Sequence, residues 1–318
     1  MLLGDDLGRY DEALVLHRRA VALDPLSPVL KLILAGSLDA TGRTKEAEAT
    51  IARLIADDPE YPQAYMFQGM FAASAGDLIG ALRGMREHEA RDPEAIGYAL
   101  TRCFMLLDFA ATAEAGHCIA GFARRAPDHP WGLKAQAQLA YIAGDLGATL
   151  SFLDRAGDDA LESRAEVMLR LGRAAEALGV YRNLAPELLT EPMPALSVVQ
   201  ASRALEVGAA LQQTGAQAQG RALIEQALPV LMPRRPGFTF APFRWRDVLG
   251  YALLAEREQA FTALEQRVAH GDFVGLYWLD ADPLLADMRA DPRFERIVAP
   301  ARAKAAEQVR LARSAGLL

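Results

Sequence analysis

Apolar residues along this chain recur at the three-to-four-residue spacing of helices, and strand-type alternation is confined to the short segment Phe238, Thr239, Phe240. The clearest case runs from Arg293 to Arg313. There Phe294, Ile297, Val298, Ala301, Ala305, Val309 and Ala312 fall on one helical face, while Arg296, Arg302, Lys304 and Arg310 fall on the solvated other. The pattern predicts an all-α chain whose last helix caps what precedes it. Upstream the punctuation is periodic: Pro25, Pro59, Pro93 and Pro127 stand 34 residues apart, and Gly8, Gly42 and Gly76 keep the same interval. Glycine ends one helix in a left-handed turn and proline stops the next, so each period predicts a helix-turn-helix unit.

With the turn glycine at repeat position 15 and the proline at position 32, the register can be followed residue by residue. Gly8 to Ala13, Gly42 to Ala47 and Gly76 to Ala81 repeat one another, and Ala13, Ala47 and Ala81 hold the small position 20 that faces position 8 of the first helix, as at Gly69. These residues resemble the tetratricopeptide repeat (TPR) family, whose units cannot bury an apolar face alone and must stack. The resemblance implies a right-handed superhelix of about eight units with a C-terminal capping helix. Downstream the pattern loosens. Ala110 replaces the fourth turn glycine, Gly144 restores it, and Gly172 to Ala177 gives a close match after an interval of only 28. That interval predicts a shortened second helix in unit five, ending near Arg155 to Asp159. A proline-bearing linker at Glu187 to Pro194 leads to unit seven, with Gly208, Gly215, Gly220 and Ala227; the loop Pro233 to Gly237 precedes unit eight, starting at Phe243. The expected division is an N-terminal array (1–159), a degenerate C-terminal array (160–271) and a cap (272–318). Only Met1 to Leu7 stand where unit one should have a first helix of about 14 residues, which reads equally as a frayed helix or as a chain continuing upstream.

The resemblance places the partner surface on the first helix of each unit, at positions 2, 5, 9, 12 and 13. The register gives Val29 and Leu32 in unit two, Met66 and Met70 in unit three, Leu100, Phe104 and Leu107 in unit four, and Trp131, Lys134, Gln138 and Tyr141 in unit five. Such a stripe suits an apolar or amphipathic peptide. It reads equally well as a surface filled by the chain itself. Unit six changes character, with Glu162, Glu166 and Arg170. The carboxylate clamp of chaperone-binding relatives is missing, because Lys134 stands alone among Leu32, Met66 and Leu100.

A net charge of -7 and a pI near 5.4 argue against phosphate recognition, and no sustained basic stripe offsets them. No run of 18 apolar residues and no signal peptide is visible. Phosphate loops, dinucleotide fingerprints, zinc-protease and nucleophile-elbow motifs are absent from the sequence, so neither a cofactor nor a metal is expected. His88, at repeat position 27, is expected to be a hydrogen-bonded interhelix side chain. Cys103 and Cys118 fall at positions 8 and 23 of one unit and could meet. A disulfide would imply an oxidising compartment, and free buried thiols in the cytoplasm are the commoner arrangement.

A second resemblance covers the tail. Tyr277 to Leu285 and Met288 to Phe294 are similar to the ends of bacterial TPR regions fused to winged-helix, cyclase or kinase modules. Each Asp-Pro in it starts a helix, with Asp as cap and proline at the first helical position. The expected function is a non-enzymatic scaffold for a protein or peptide partner, self-association into a homodimer included. The alternatives are the sensor region of a signalling regulator with an upstream output module, and an enzyme on a helical toroid with an acidic pocket at Glu162 and Glu166.

Overall fold

The computed structural model describes residues 10–190, 195–231 and 245–318. Among these residues there is no strand, and the helices run in antiparallel pairs. Helix α1 (Tyr10–Leu23) is the second helix of unit one. The pairs that follow are α2 (Pro28–Ala40) with α3 (Thr44–Asp57), α4 (Pro62–Ser74) with α5 (Leu78–Arg91), α6 (Ile96–Asp108) with α7 (Thr112–Arg125), and α8 (Pro130–Ile142) with α9 (Leu146–Ala156). Units six to eight are α10 (Leu161–Arg170) with α11 (Ala174–Leu184), α12 (Val198–Gln213) with α13 (Gln217–Leu231), and α14 (Arg246–Leu253) with α15 (Arg257–Ala269). The cap comprises α16 (Tyr277–Ala281), α17 (Ala286–Arg289) and the long α18 (Pro292–Ser314). The expected first helix at Met1 to Leu7, the loop Pro233 to Gly237, the segment Phe238 to Phe240 and the start of unit eight at Phe243 lie outside the described residues, as does Pro194.

The sequence signals act where they stand. Pro28, Pro62 and Pro130 open their helices, where the missing N–H costs nothing. Asp77 and Asp145 cap α5 and α9 by accepting from the N–H groups of Gly80 and Ala148 at 2.9 and 2.8 Å. Gly42, Gly76, Gly144 and Gly172 take positive φ between helices, and Ala110 and Ala255 adopt the same left-handed conformation, at φ 59°, in the turns of units four and eight.

The short interval has a simple origin. Helices α3, α5 and α7 have 14 residues but α9 has 11, and α2, α4, α6 and α8 have 13 but α10 has 10. The two deficits account for the missing six residues of that period, and a single 3-10 turn, Gly157–Ala160, joins the shortened helices.

Position 8 meets position 23 where the two helices of a unit cross. In unit three both are glycine, and a Cβ on Gly84 would lie 2.7 Å from the Cα of Gly69. In unit four the pair is Cys103 and Cys118, which are joined by a disulfide with their Cα atoms 5.5 Å apart. This corrects the free-thiol expectation and removes both sulfurs as metal ligands. His88 departs from expectation too. It is 1% exposed and packs edge-on against the Tyr98 ring at 5.1 Å, and neither ring nitrogen has a hydrogen-bond partner.

The cap does more than cover unit eight. Phe294, Val298, Ala301, Ala305, Val309 and Ala312 of α18 are buried, as the helical pattern predicts. Besides α15 of unit eight, α18 packs on α5 of unit three. Gln308 Oε1 accepts from the backbone N–H of Leu78 at 3.1 Å, Arg86 reaches the carbonyl of Gly316 at 3.0 Å, and Arg313 pairs with Glu114 at 2.6 Å. Ahead of α18, Phe273 seats its ring on the turns of units three and four. A Cβ on Gly76 would lie 2.6 Å from that ring, and Phe109 meets it edge-on at 5.6 Å. One apolar core therefore joins Leu78 to Ala135 with Trp245 to Ala312, and the array closes on itself.

Candidate functional site

The concave register is largely occupied by the chain's own residues. Leu32, Met66, Leu100, Leu107 and Tyr141 are buried. Leu100, Phe104 and Leu107 belong to the core shared with Phe273 and Tyr277 of the cap. Met66 and Met70 pack with Met85 and Met105, Leu32 joins a smaller core that runs from units one and two to Ala64 and Phe71 of unit three, and Tyr141 joins a fourth group around Leu133 and Leu153. Seven of the ten residues thus lie in four packing groups rather than along one open stripe, and Trp131, Lys134 and Gln138 lie in none of these groups.

The polar members are engaged as well. Gln138 donates its side-chain amide to the Tyr277 hydroxyl, tying α8 to α16. Tyr141 accepts from Arg170 Nε at 3.1 Å and packs against Trp278, ring centroids 5.3 Å apart. Burial raises the Tyr141 phenol above its ordinary range, so it stays protonated. What remains accessible is Trp131, 55% exposed on the first turn of α8, with the Lys134 ammonium 5.1 Å from its ring centroid. Met70 and Phe104 are half-buried, and Val29 is exposed at the position in unit two that Trp131 holds in unit five.

The inner side of units six to eight is charged, as Glu162, Glu166 and Arg170 foreshadow. Arg170, whose side chain is only 4% exposed, donates to Glu206 at 2.8 Å and to Asp282 at 2.6 Å. Arg246 donates to Glu206 and, at 3.2 Å, to Glu166, while Arg203 pairs with Glu162 at 2.7 Å. Removal from water pushes the Glu166 carboxyl up to about 7, helped by the neighbouring Glu206 charge. Burial would raise Glu206 also, but the Arg170 and Arg246 guanidiniums more than offset it and hold that carboxyl below its ordinary range. The opening beside Glu166, Arg170 and Asp282 measures about 30 Å³, room for a water and not for a substrate. Arg170 and Asp282 could be read as a site from their types alone, but each is spent on the other. Sequence spacing could not find Glu206, Arg246 and Asp282, which come from α12, α14 and the cap.

A second and larger cleft, of about 350 Å³, opens between the unit-four turn at Asp108 to Ala110, the segment Phe273 to Asp280 and α18. No group of three metal-binding side chains occurs among the described residues, and no described helix is long and apolar enough to cross a membrane.

Residues 6–70 match the tetratricopeptide repeat family model. No curated protein matches the chain in sequence. Among solved structures, a chain of the APC/C hetero-tetramer Cut9–Hcn1 is 14% identical, with a TM-score of 0.55, over 87% of this chain and 52% of that one, so this chain spans about half its length. A tetratricopeptide repeat protein from Parabacteroides merdae is 14% identical, with a TM-score of 0.48, over 71% of this chain and 89% of that one. The family match is confined to residues 6–70, and the helix pairs that follow continue the same tetratricopeptide-repeat type of solenoid fold to the cap.

Proposed function

We propose that the chain is a non-enzymatic scaffold that binds a protein or peptide partner through the accessible part of its concave register: Val29, Met70, Phe104, Trp131 and Lys134. The observation that carries this is Trp131. An indole left half in water, steadied by a cation over its ring, contributes little to folding but is the side chain most often found to anchor a partner. The Cut9–Hcn1 hetero-tetramer is a precedent for a protein partner on this fold. The charged inner side of units six to eight favours this reading over a toroidal enzyme, because its carboxylates are paired and its opening holds only a water.

The test compares Trp131→Ala with Leu100→Ala in melting and partner-capture measurements. The first should leave stability within about 0.5 kcal/mol and abolish capture of a partner. The second, at 2% exposure, should cost about 2 to 5 kcal/mol. Full capture by Trp131→Ala, or destabilisation as large as that of Leu100→Ala, would remove the proposal. The Cys103–Cys118 bond points to an oxidising compartment rather than the cytoplasm, and a thiol count on protein recovered from its native compartment decides between them.

A further inference from the structure

Helix α1 and the turn that ends it carry three large apolar side chains in water, at places where the following units are polar or small. Val15, 67% exposed, stands at repeat position 22, where units two to four have Ala49, Arg83 and His117. Leu23 and Leu26, 80% and 85% exposed, stand at position 30, held in those units by Asp57, Arg91 and Arg125, and at position 33, held by Glu60, Glu94 and Asp128. All of these equivalents except Arg91 are exposed in units whose two helices are both present, so the outward direction of the three positions does not depend on what precedes Tyr10. Leu16, though exposed, does not belong to the set, because its position 23 faces the first helix of its own unit, as Gly84 faces Gly69. Apolar residues scattered singly over a surface are ordinary, but three gathered at one edge mark a surface that another molecule covers.

The charges on the same face say what that molecule is. Asp11, Val15, Arg19 and Leu23 follow one another every fourth residue, which puts them on one exposed stripe of α1. Asp11 and Arg19 stand equally far from Val15 on either side, about 12 Å apart along the helix axis, too far to pair with each other within one chain. Arg18, the neighbouring cation, is turned aside to Glu46 at 3.2 Å. The stripe is therefore self-complementary. Turned end for end about Val15, it presents an arginine to the aspartate and an aspartate to the arginine, with valine against valine between them. A two-fold interface is built from such a surface, since the same patch must serve on both sides. An anionic lipid surface would be attracted by Arg19 but repelled by Asp11 on the same stripe.

We propose that α1 pairs antiparallel with α1 of a second copy of this chain, crossing at Val15, with Asp11 of each copy beside Arg19 of the other and Leu23 and Leu26 flanking the crossing. A single helix crossing covers less than the about 800 Å² per partner of a standard interface, so a weak dimer of micromolar affinity is expected. It uses the outward side of α1 and leaves the concave register free for the partner proposed above. The experiment is sedimentation of the full chain over a series of micromolar concentrations, with circular dichroism on every variant. A monomer–dimer equilibrium is expected, and Val15→Glu should abolish it with helical content unchanged. Asp11→Lys and Arg19→Asp should each weaken self-association about tenfold, because each sets like charges together at both contacts of a two-fold dimer. Mixing these two variants should restore dimers at the original affinity, since the mixed pair has opposite charges at both contacts. A chain that stays monomeric throughout overturns the proposal, and binding of that monomer to anionic phospholipid vesicles would assign the patch to a membrane surface instead. Dimers indifferent to the three substitutions refute it too. Should Val15→Glu disturb the fold, the mixing experiment still decides, and failure of the two charge variants to restore each other is a refutation.

Discussion

His88 is the residue whose environment fits its chemistry least. Its equivalents one repeat before and after are Leu54 and Phe122, both buried, and it fills the same apolar slot with two unpartnered ring nitrogens. Replacing an unsatisfied buried polar group by an apolar one of similar size removes a desolvation penalty of about 1 to 3 kcal/mol. His88→Leu should therefore raise the denaturation midpoint, by about 1 kcal/mol, and a lower midpoint would show that the imidazole is satisfied in solution. Repeat arithmetic made this slot legible, since position 27 recurs every period, but it could not say that the histidine goes unbonded. The same arithmetic brought Cys103 opposite Cys118, at the positions where Gly69 and Gly84 meet one unit earlier. It could not separate Leu100 from Trp131. Both belong to the concave register, yet Leu100 is buried in the core that also takes in Phe273 and Tyr277 of the cap while Trp131 stays 55% exposed, and packing between segments so far apart in the chain leaves no periodic trace.

At the scale of elements, two devices hold helices that stacking alone would leave weakly joined. The first is the ion network linking α10, α12, α14 and the cap. Arg170 neutralises both Glu206 and Asp282, whose side chains are 1% and 7% exposed, so Arg170→Met should strand the buried Asp282 carboxylate, leave Glu206 to Arg246 alone, and cost about 3 to 5 kcal/mol by chemical denaturation. Glu166 sits at the rim of that network with 23% of its side chain exposed. Its carboxyl is raised from 4.5 to about 7 on folding. The stability it contributes is therefore complete below pH 4.5 and is lost as the pH climbs through about 7. The unsubstituted chain should lose melting temperature between pH 5 and 8 relative to Glu166→Gln, which mimics the protonated form; parallel profiles would refute this. The second device is the disulfide joining α6 to α7. Closing a loop of 15 residues contributes about 3 kcal/mol in the chain-entropy account, so reduction should lower the denaturation midpoint by about that much, and no shift would show the two thiols free in solution. Spacing pointed to the second device but not to the first, for only Glu162, Glu166 and Arg170 share a helix. Their partners lie on other elements.

For the whole molecule, the repeat pattern made the solenoid and its capping helix legible, and the 28-residue interval pointed to the shortened α9 but not to the equal shortening of α10. Closure was not legible. It depends on small rotations accumulated from unit to unit, and no single repeat records their sum. Closure has a consequence for cooperativity. A linear array loses its end repeats first, whereas here one core joins units three and four to unit eight and the cap, and a smaller core joins units one and two to α4 of unit three. Hydrogen exchange should then find α6 and α18 opening together and α1 to α3 opening at lower free energy. Phe273 is the side chain on which this turns, seated on the turn at Gly76 and against Phe109. Phe273→Ala removes a buried aromatic ring at a cost of about 3 to 5 kcal/mol, and because that ring touches both partners the loss of protection should appear in α5, α6 and α18 alike. Loss confined to the cap, with α6 still protected, would mean that the solenoid is open-ended and that α18 rests on unit three without sharing its stability.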